Sequence, residues 1–146
     1  MSDYPTESSD FAVQVVGAAI VDSLDGPRQI LVARRSAPEA LAGLWEFPGG
    51  KVEPEETCEQ ALQRELSEEL GIESILGQEI SGPLMQGWQL NDRAAMRVWT
   101  SEISAGNPQP LQDHSELRWV NLDETLLELD WIPADFPIVQ ALLETL

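Results

Sequence analysis

The chain has 146 residues, 26 of them acidic and eight basic, for a formal net charge of −18. That balance excludes a protein that coats nucleic-acid polymers, which must neutralise phosphates with Lys and Arg, while 42% hydrophobic residues suffice for the core of one domain. No run of about 18 apolar residues is present to cross a membrane, and the single cysteine, Cys58, excludes an internal disulfide and points to a reducing cytoplasm.

Residues 1–10, MSDYPTESSD, lack the basic start and apolar middle of a signal peptide and are expected to be a mobile acidic tail. Residues 11–146 are expected to form one domain. FAVQVVGAAIVDS is rich in Val and Ile and ends before the turn signal LDGP, which predicts a strand over 11–22. QILVARR predicts a second strand that closes a hairpin with the first. SAPEALAGL reads as a loop, and WEFPGG as one short strand ended by Pro48 and the two glycines. Thr57 with Gln60 three residues on fits a capping box, and Ala61, Leu62, Leu66 and Leu70 recur at helical spacing. Gly71 supplies a left-handed stop, so a helix is predicted over 58–70. Further on, MQGWQL and AAMRVWTSEI predict strands paired around NDR, and LRWVNL another strand. Ile138, Val139, Leu142 and Leu143 predict a short C-terminal helix starting near Pro137. The whole reads as a mixed α/β domain.

Glu65, Glu68 and Glu69 stand at i, i+3 and i+4, so on a helix their carboxylates leave one face about a turn apart. The leucine stripe beside them would pin that helix to a sheet. A rigid set of hard oxygen donors suits Mg²⁺ or Mn²⁺. Gly49 and Gly50, just upstream, permit close backbone approach and bring a main-chain carbonyl into reach. By spacing alone the same glutamates also fit an ordinary solvated face.

Gly50, Glu56, Arg64, Glu65, Leu66, Glu68, Glu69, Gly71 and Ile72 resemble the signature of the Nudix hydrolase family, with no departure. GAAIV, ILVARRSAPEALAGLWEFPGGK and DWIPAD extend the resemblance to the MutT branch, which cleaves nucleoside triphosphates to monophosphate and pyrophosphate. The resemblance implies the Nudix fold, a mixed β-sheet sandwiched between α-helices. It also implies Mg²⁺, with Mn²⁺ as a substitute, held by Glu65, Glu68, Glu69, the Gly49 carbonyl and Glu116 of HSELRW, the extra acid that MutT-type enzymes bring across the cleft. Glu65 is the first choice for orienting or deprotonating the attacking water, and Glu116 the second. Arg64 is expected to orient a glutamate rather than meet substrate, because an adjacent helical position points away from the carboxylate face. Glu56 either holds the turn or binds metal through water. Arg35 resembles the arginine that meets substrate phosphates, a solvated charge being its ordinary alternative; Arg97 is a weaker candidate. His114 and Cys58 read as ordinary surface or packing residues.

Phe47 is implied as an apolar wall of the base pocket, or else as a core residue. Asp135 of PAD stands where MutT-like enzymes set a polar residue against the base, an Asn in those best known for 8-oxo-dGTP. An ionised Asp only accepts hydrogen bonds, so it favours the cytosine N4 amine over the carbonyl edge of thymine or uracil. Its alternative is to cap the C-terminal helix. EALAG and DWIPAD resemble the branch that prefers CTP, dCTP and 5-methyl-dCTP. The expectation is therefore a nucleotide pyrophosphatase acting on a small-molecule nucleotide. An 8-oxo-dGTP diphosphatase of nucleotide-pool sanitation and a non-catalytic nucleotide sensor on the same scaffold are the alternatives, and both monomer and homodimer stay open.

Overall fold

The computed structural model describes residues 10–146, so the tail expected over 1–10 lies, apart from Asp10, outside the described residues. The sheet is organised on β1 (Val13–Val21), which runs antiparallel to β2 (Gln29–Arg35) and parallel to β7 (Ala94–Ala105). The register with β7 runs unbroken from Val13↔Ala94 to Val21↔Glu102. A strand covered on both faces needs apolar residues at consecutive positions, and Val16, Ala18, Ala19, Ile20 and Val21 are all buried.

WEFPGG, expected as one strand, is two. β3 (Trp45–Glu46) pairs with β2 at Ala33 and Arg34, and β4 (Gly49–Lys51) pairs with β1 from Val15 to Gly17. The change of partner falls at Phe47 and Pro48, where proline has no N–H to give a ladder but its carbonyl accepts from Ala18 N at 2.9 Å. β6 (Trp88–Gln89) pairs with β7 around the NDR turn as expected, and β8 (His114–Asn121) lies along the far edge of β2. β5 (Glu73–Ile80), on the edge beyond β7, has no counterpart among the predicted strands. Register shifts on both sides of its middle break the alternation, and Ile75 faces solvent.

α1 (Cys58–Leu70) matches the predicted bounds. Thr57 Oγ1 accepts from Gln60 N at 3.1 Å, Gln60 Oε1 accepts from Thr57 N at 2.9 Å, and Gly71 ends the helix at φ 71°. Its stripe of Ala61, Leu62, Leu66 and Leu70 packs on Val16, Ala18, Ile20 and Leu31. α2 (Phe136–Thr145) packs Ile138, Val139 and Leu142 against Ala19, Ile30 and Val32, the alternate residues of the same strands and hence the other face. The result is the expected mixed sheet between helices.

Leu66 is fully buried and fixes the helix that carries the three glutamates. Leu66→Ala should lose about 2–5 kcal/mol of stability in urea unfolding; a loss below about 1 kcal/mol would mean that α1 is not clamped there.

Candidate active site

The acidic face of α1 rests on bare backbone. Glu69 Oε1 accepts from Gly49 N at 3.0 Å, and the Glu65 carboxylate lies where a Cβ on Gly50 would be. A Cβ on Gly49 would collide with the Val16 carbonyl. Two consecutive glycines are thus what allows β4 to pass between α1 and β1.

Arg64 does not point away from the carboxylates but gathers them. Its Nε and Nη2 donate to both oxygens of Glu56, at 2.8 and 3.0 Å, and Nη2 also reaches the Lys51 carbonyl. Nη1 donates to Glu65 Oε2 at 3.1 Å and to Glu68 Oε1 at 3.2 Å. Glu56 in turn accepts from Glu53 N, holding the turn before the helix. The hydrogen bonds from Arg64 keep its carboxyl down at about 2. Glu65 and Glu69 shift the other way. Burial raises both, and Glu69 reaches about 7 because its desolvation, helped by the smaller effects of the Glu46 and Glu65 charges, outweighs the relief given by His114 and the Gly49 N–H.

Among the described residues no three His, Cys, Asp or Glu side chains close into a compact ligand cluster. The donor chemistry nevertheless fits a hard divalent cation. Glu65 and Glu69 are partly desolvated carboxylates, so their charged forms would gain from a cation, and they stand on a helix fixed by its core face.

Glu116 is not brought to this face. It lies opposite Arg34 on β8, and its partners are Arg34 Nη1 at 3.5 Å and Arg118 Nη2 at 2.9 Å, both guanidinium groups lying over the Trp45 ring. Strand alternation explains the difference: Leu117, one residue on, packs on the α1 side, so Glu116 belongs to the α2 side. The residue of HSELRW that does approach the carboxylates is His114. It is buried, with Nε2 2.7 Å from Glu46 Oε2 and its charge felt by Glu69. Glu46 was not singled out by the sequence, although an acid inside the apolar strand just before PGG was a signal. Arg35 Nη1 donates to the same Glu46 oxygen at 3.2 Å, and Arg35 Nε to the Ala37 carbonyl at 2.8 Å. Asp113 carries the nearest further acid, 3.8 Å from Arg35 Nη2.

Arg35, Glu46, Gly49 and Gly50 open onto a pocket of about 830 Å³ that continues to Phe47 and Asp135. Arg35, Lys51 and Arg93 give it three of the chain's eight basic residues; Lys51 and Arg93 were not among the expected site residues. A second cavity, of about 630 Å³ beside Leu122 and Leu143, is rimmed by Asp123, Glu124 and Glu144 and would repel a phosphate. Arg97 lines neither. It is bidentate to Glu79, at 2.9 and 2.8 Å, and stacks on Trp99, so its guanidinium is engaged within the fold.

Phe47 belongs to the core, stacked on Trp131 with centroids 5.4 Å apart, and also lines the pocket. Asp135 is 4% exposed and makes no capping hydrogen bond to α2; its Oδ2 instead accepts from Phe47 N at 3.3 Å. Burial pushes its carboxyl up to about 7, the Phe47 N–H opposing and the Glu46 charge adding to the rise.

With this geometry in place, the similarities to known proteins take on meaning. The NUDIX domain family matches residues 13–142. The chain is 39% identical over 132 residues to a protein of Mycobacterium tuberculosis named putative 8-oxo-dGTP diphosphatase 2, covering 90% of this chain and 89% of that one. It is 40% identical over 136 residues to the CTP pyrophosphohydrolase of Escherichia coli, covering 88% and 90%. The solution structure of the E. coli ORF135 protein superposes with a TM-score of 0.70 at 35% identity, over 95% of this chain and 91% of the other.

The buried Asp135 carboxyl has a measurable consequence. Its raised folded-state pKa favours folding fully below about pH 4, and this contribution is lost as the pH rises through about 7. Asp135→Asn removes that titration and keeps an acceptor for Phe47 N. Its melting temperature relative to wild type should climb between pH 5 and pH 8; the same offset at both would show that Asp135 is not desolvated.

Proposed function

Since the chain belongs to the NUDIX family, we propose that it is a Mg²⁺-dependent nucleoside triphosphate pyrophosphohydrolase, converting NTP and water to NMP and pyrophosphate and favouring CTP, dCTP and 5-methyl-dCTP. Hydrolysis of a nucleotide's phosphoric anhydride follows from the family and from relatives named for that reaction. The observation that carries the base is Asp135, which faces the pocket unused by α2 and has only its Oδ2 engaged by a protein donor among the described residues. Ionised, it accepts from the cytosine N4 amine and offers nothing to a carbonyl edge.

A triphosphate would be repelled by this many carboxylates unless cations stood between them. Glu65, Glu68 and Glu69, with the Gly49 carbonyl, would hold Mg²⁺. When bound, the metal supplies Lewis acidity toward the phosphate oxygens and toward water. Arg64 bridges Glu65 and Glu68 and ties both carboxylates to one guanidinium. Glu65 takes the proton of the attacking water. Glu116 could do so only after leaving Arg34 and Arg118. Arg35, beside Gly49 and Gly50 in the pocket lining, meets the phosphates, while Phe47 forms the apolar wall for the base.

A second reading, 8-oxo-dGTP as the main substrate, is favoured by the name of the M. tuberculosis relative and by the chemistry of Asp135. Near its pKa of about 7 the neutral carboxyl adds an O–H donor that an oxidised guanine edge can use.

Pyrophosphate release with Mg²⁺ from dCTP, 5-methyl-dCTP, CTP, 8-oxo-dGTP, dGTP and dTTP should put the cytidine nucleotides first, and Asp135→Asn should erase that lead. If 8-oxo-dGTP leads in the wild type, the base assignment is wrong and the second reading replaces it. Glu65→Gln should lower kcat by about 10²–10⁴-fold while the protein stays folded by circular dichroism; a variant as active as wild type would remove Glu65 from the chemistry.

A further inference from the structure

Glu46 and His114 have no part in the reaction as described, yet they occupy an unusual position. One oxygen, Glu46 Oε2, takes hydrogen bonds from two directions, His114 Nε2 at 2.7 Å and Arg35 Nη1 at 3.2 Å. The His114 ring has no exposed side-chain surface, and its buried Nδ1 has no partner among the described residues. An unsatisfied buried nitrogen lowers stability, and so does the crowding of Glu46 against Glu69, whose carboxyl is raised in part by the Glu46 charge. An apolar residue of similar volume would fill the space of His114 at less expense to the fold.

The backbone is also shaped to make the contact. β8 pairs with β2 at Arg34↔Glu116 and next at Arg35↔His114, so Ser115 is the extra residue of a bulge. Without that bulge Arg35 would oppose Ser115, and His114 would not share its side of the strand pair. Bulges of this kind re-aim a side chain, and here the side chain is brought beneath Glu46.

We propose that Glu46 and His114 are positioning residues for Arg35: His114 holds the Glu46 carboxylate, which in turn fixes Arg35 Nη1 and aims the guanidinium at the phosphate chain of the substrate. The proposal rests on the reading of Arg35 as a phosphate contact. The Ala37 carbonyl accepts from both Nε and Nη2, and Glu46 supplies the second fixed point, at Nη1, that holds the planar guanidinium in one orientation. Glu46 takes no part in bond making, and its effect is exerted through Arg35.

The test compares His114→Leu with His114→Gln, whose amide nitrogen can replace Nε2 as the donor to Glu46. In ¹⁵N NMR of the protein without substrate, rotation about the Arg35 Cζ–Nη1 bond should be faster in the leucine variant. Arg97, bidentate to Glu79, is the internal reference and should not change. With dCTP and Mg²⁺, KM should rise roughly two- to tenfold, the worth of one hydrogen bond, with kcat nearly unchanged. The glutamine variant should restore both readings. Should the leucine variant fail to fold, Glu46→Gln, which keeps the shape but weakens acceptance from Arg35, should show the same loosening and the same rise in KM. Arg35 rotation unchanged in a folded variant overturns the proposal, and so does a loosened Arg35 with an unaltered KM. Absence of turnover of every triphosphate by the wild type would instead overturn the proposed function, while the substrate-free arginine signal still decides the positioning.

Discussion

The contact on which the rest depends is the approach of α1 to the unclothed backbone of β4. Glu69 is hydrogen-bonded to the Gly49 amide, and Glu65 fills the volume that any side chain on Gly50 would claim. The helix cannot give way, because its opposite stripe is locked into the close-packed layer over β1. The carboxylates consequently have one position each, set by glycines on one side and leucines on the other. Pro48 and the change of strand partner at β3 and β4 serve the same end, since they deliver those glycines beneath the helix while leaving Phe47 on the other face.

Charge is distributed to match. At a net −18 the chain is hostile to an anionic ligand almost everywhere. Most guanidinium groups are committed to particular acids: Arg64 to the α1 glutamates and Glu56, Arg97 to Glu79, Arg34 and Arg118 to Glu116 over Trp45. Against that background a pocket lined by Arg35, Lys51 and Arg93 is locally near neutral, with Glu46, Asp92 and Asp135 as its acids. A polyanion accompanied by divalent cations would meet far less repulsion there than over the rest of the surface.

How much of this was legible in the sequence depended on whether the signal was local. The helix bounds, the capping box, the glycine stop and the three glutamates were readable because helical period and cap chemistry lie within a few residues of one another. β5 was not, because its bulges destroy the alternation that marks a strand. Glu116 was expected across the cleft, and a one-residue alternation sent it to the other face, which no motif encodes. His114 was passed over for want of a partner, and its partner Glu46 is 68 residues away in the chain. Asp135 illustrates the reverse case: two roles were open for it, and only the fold showed that its carboxylate serves Phe47 N and not the helix end.

The division of labour between the two faces of the sheet bears on how such proteins diverge. The glutamates lie on the α1 side, Phe47 and Asp135 on the α2 side, and the two sets are joined by the short run Phe47, Pro48, Gly49 and Gly50. On the proposed function, substitution at Asp135 would retune which base is admitted while the acidic helix and its glycine bed stay untouched. Lineages built on this plan could then exchange substrates at a few positions, in keeping with relatives of 39% and 40% identity that carry names for different nucleotides.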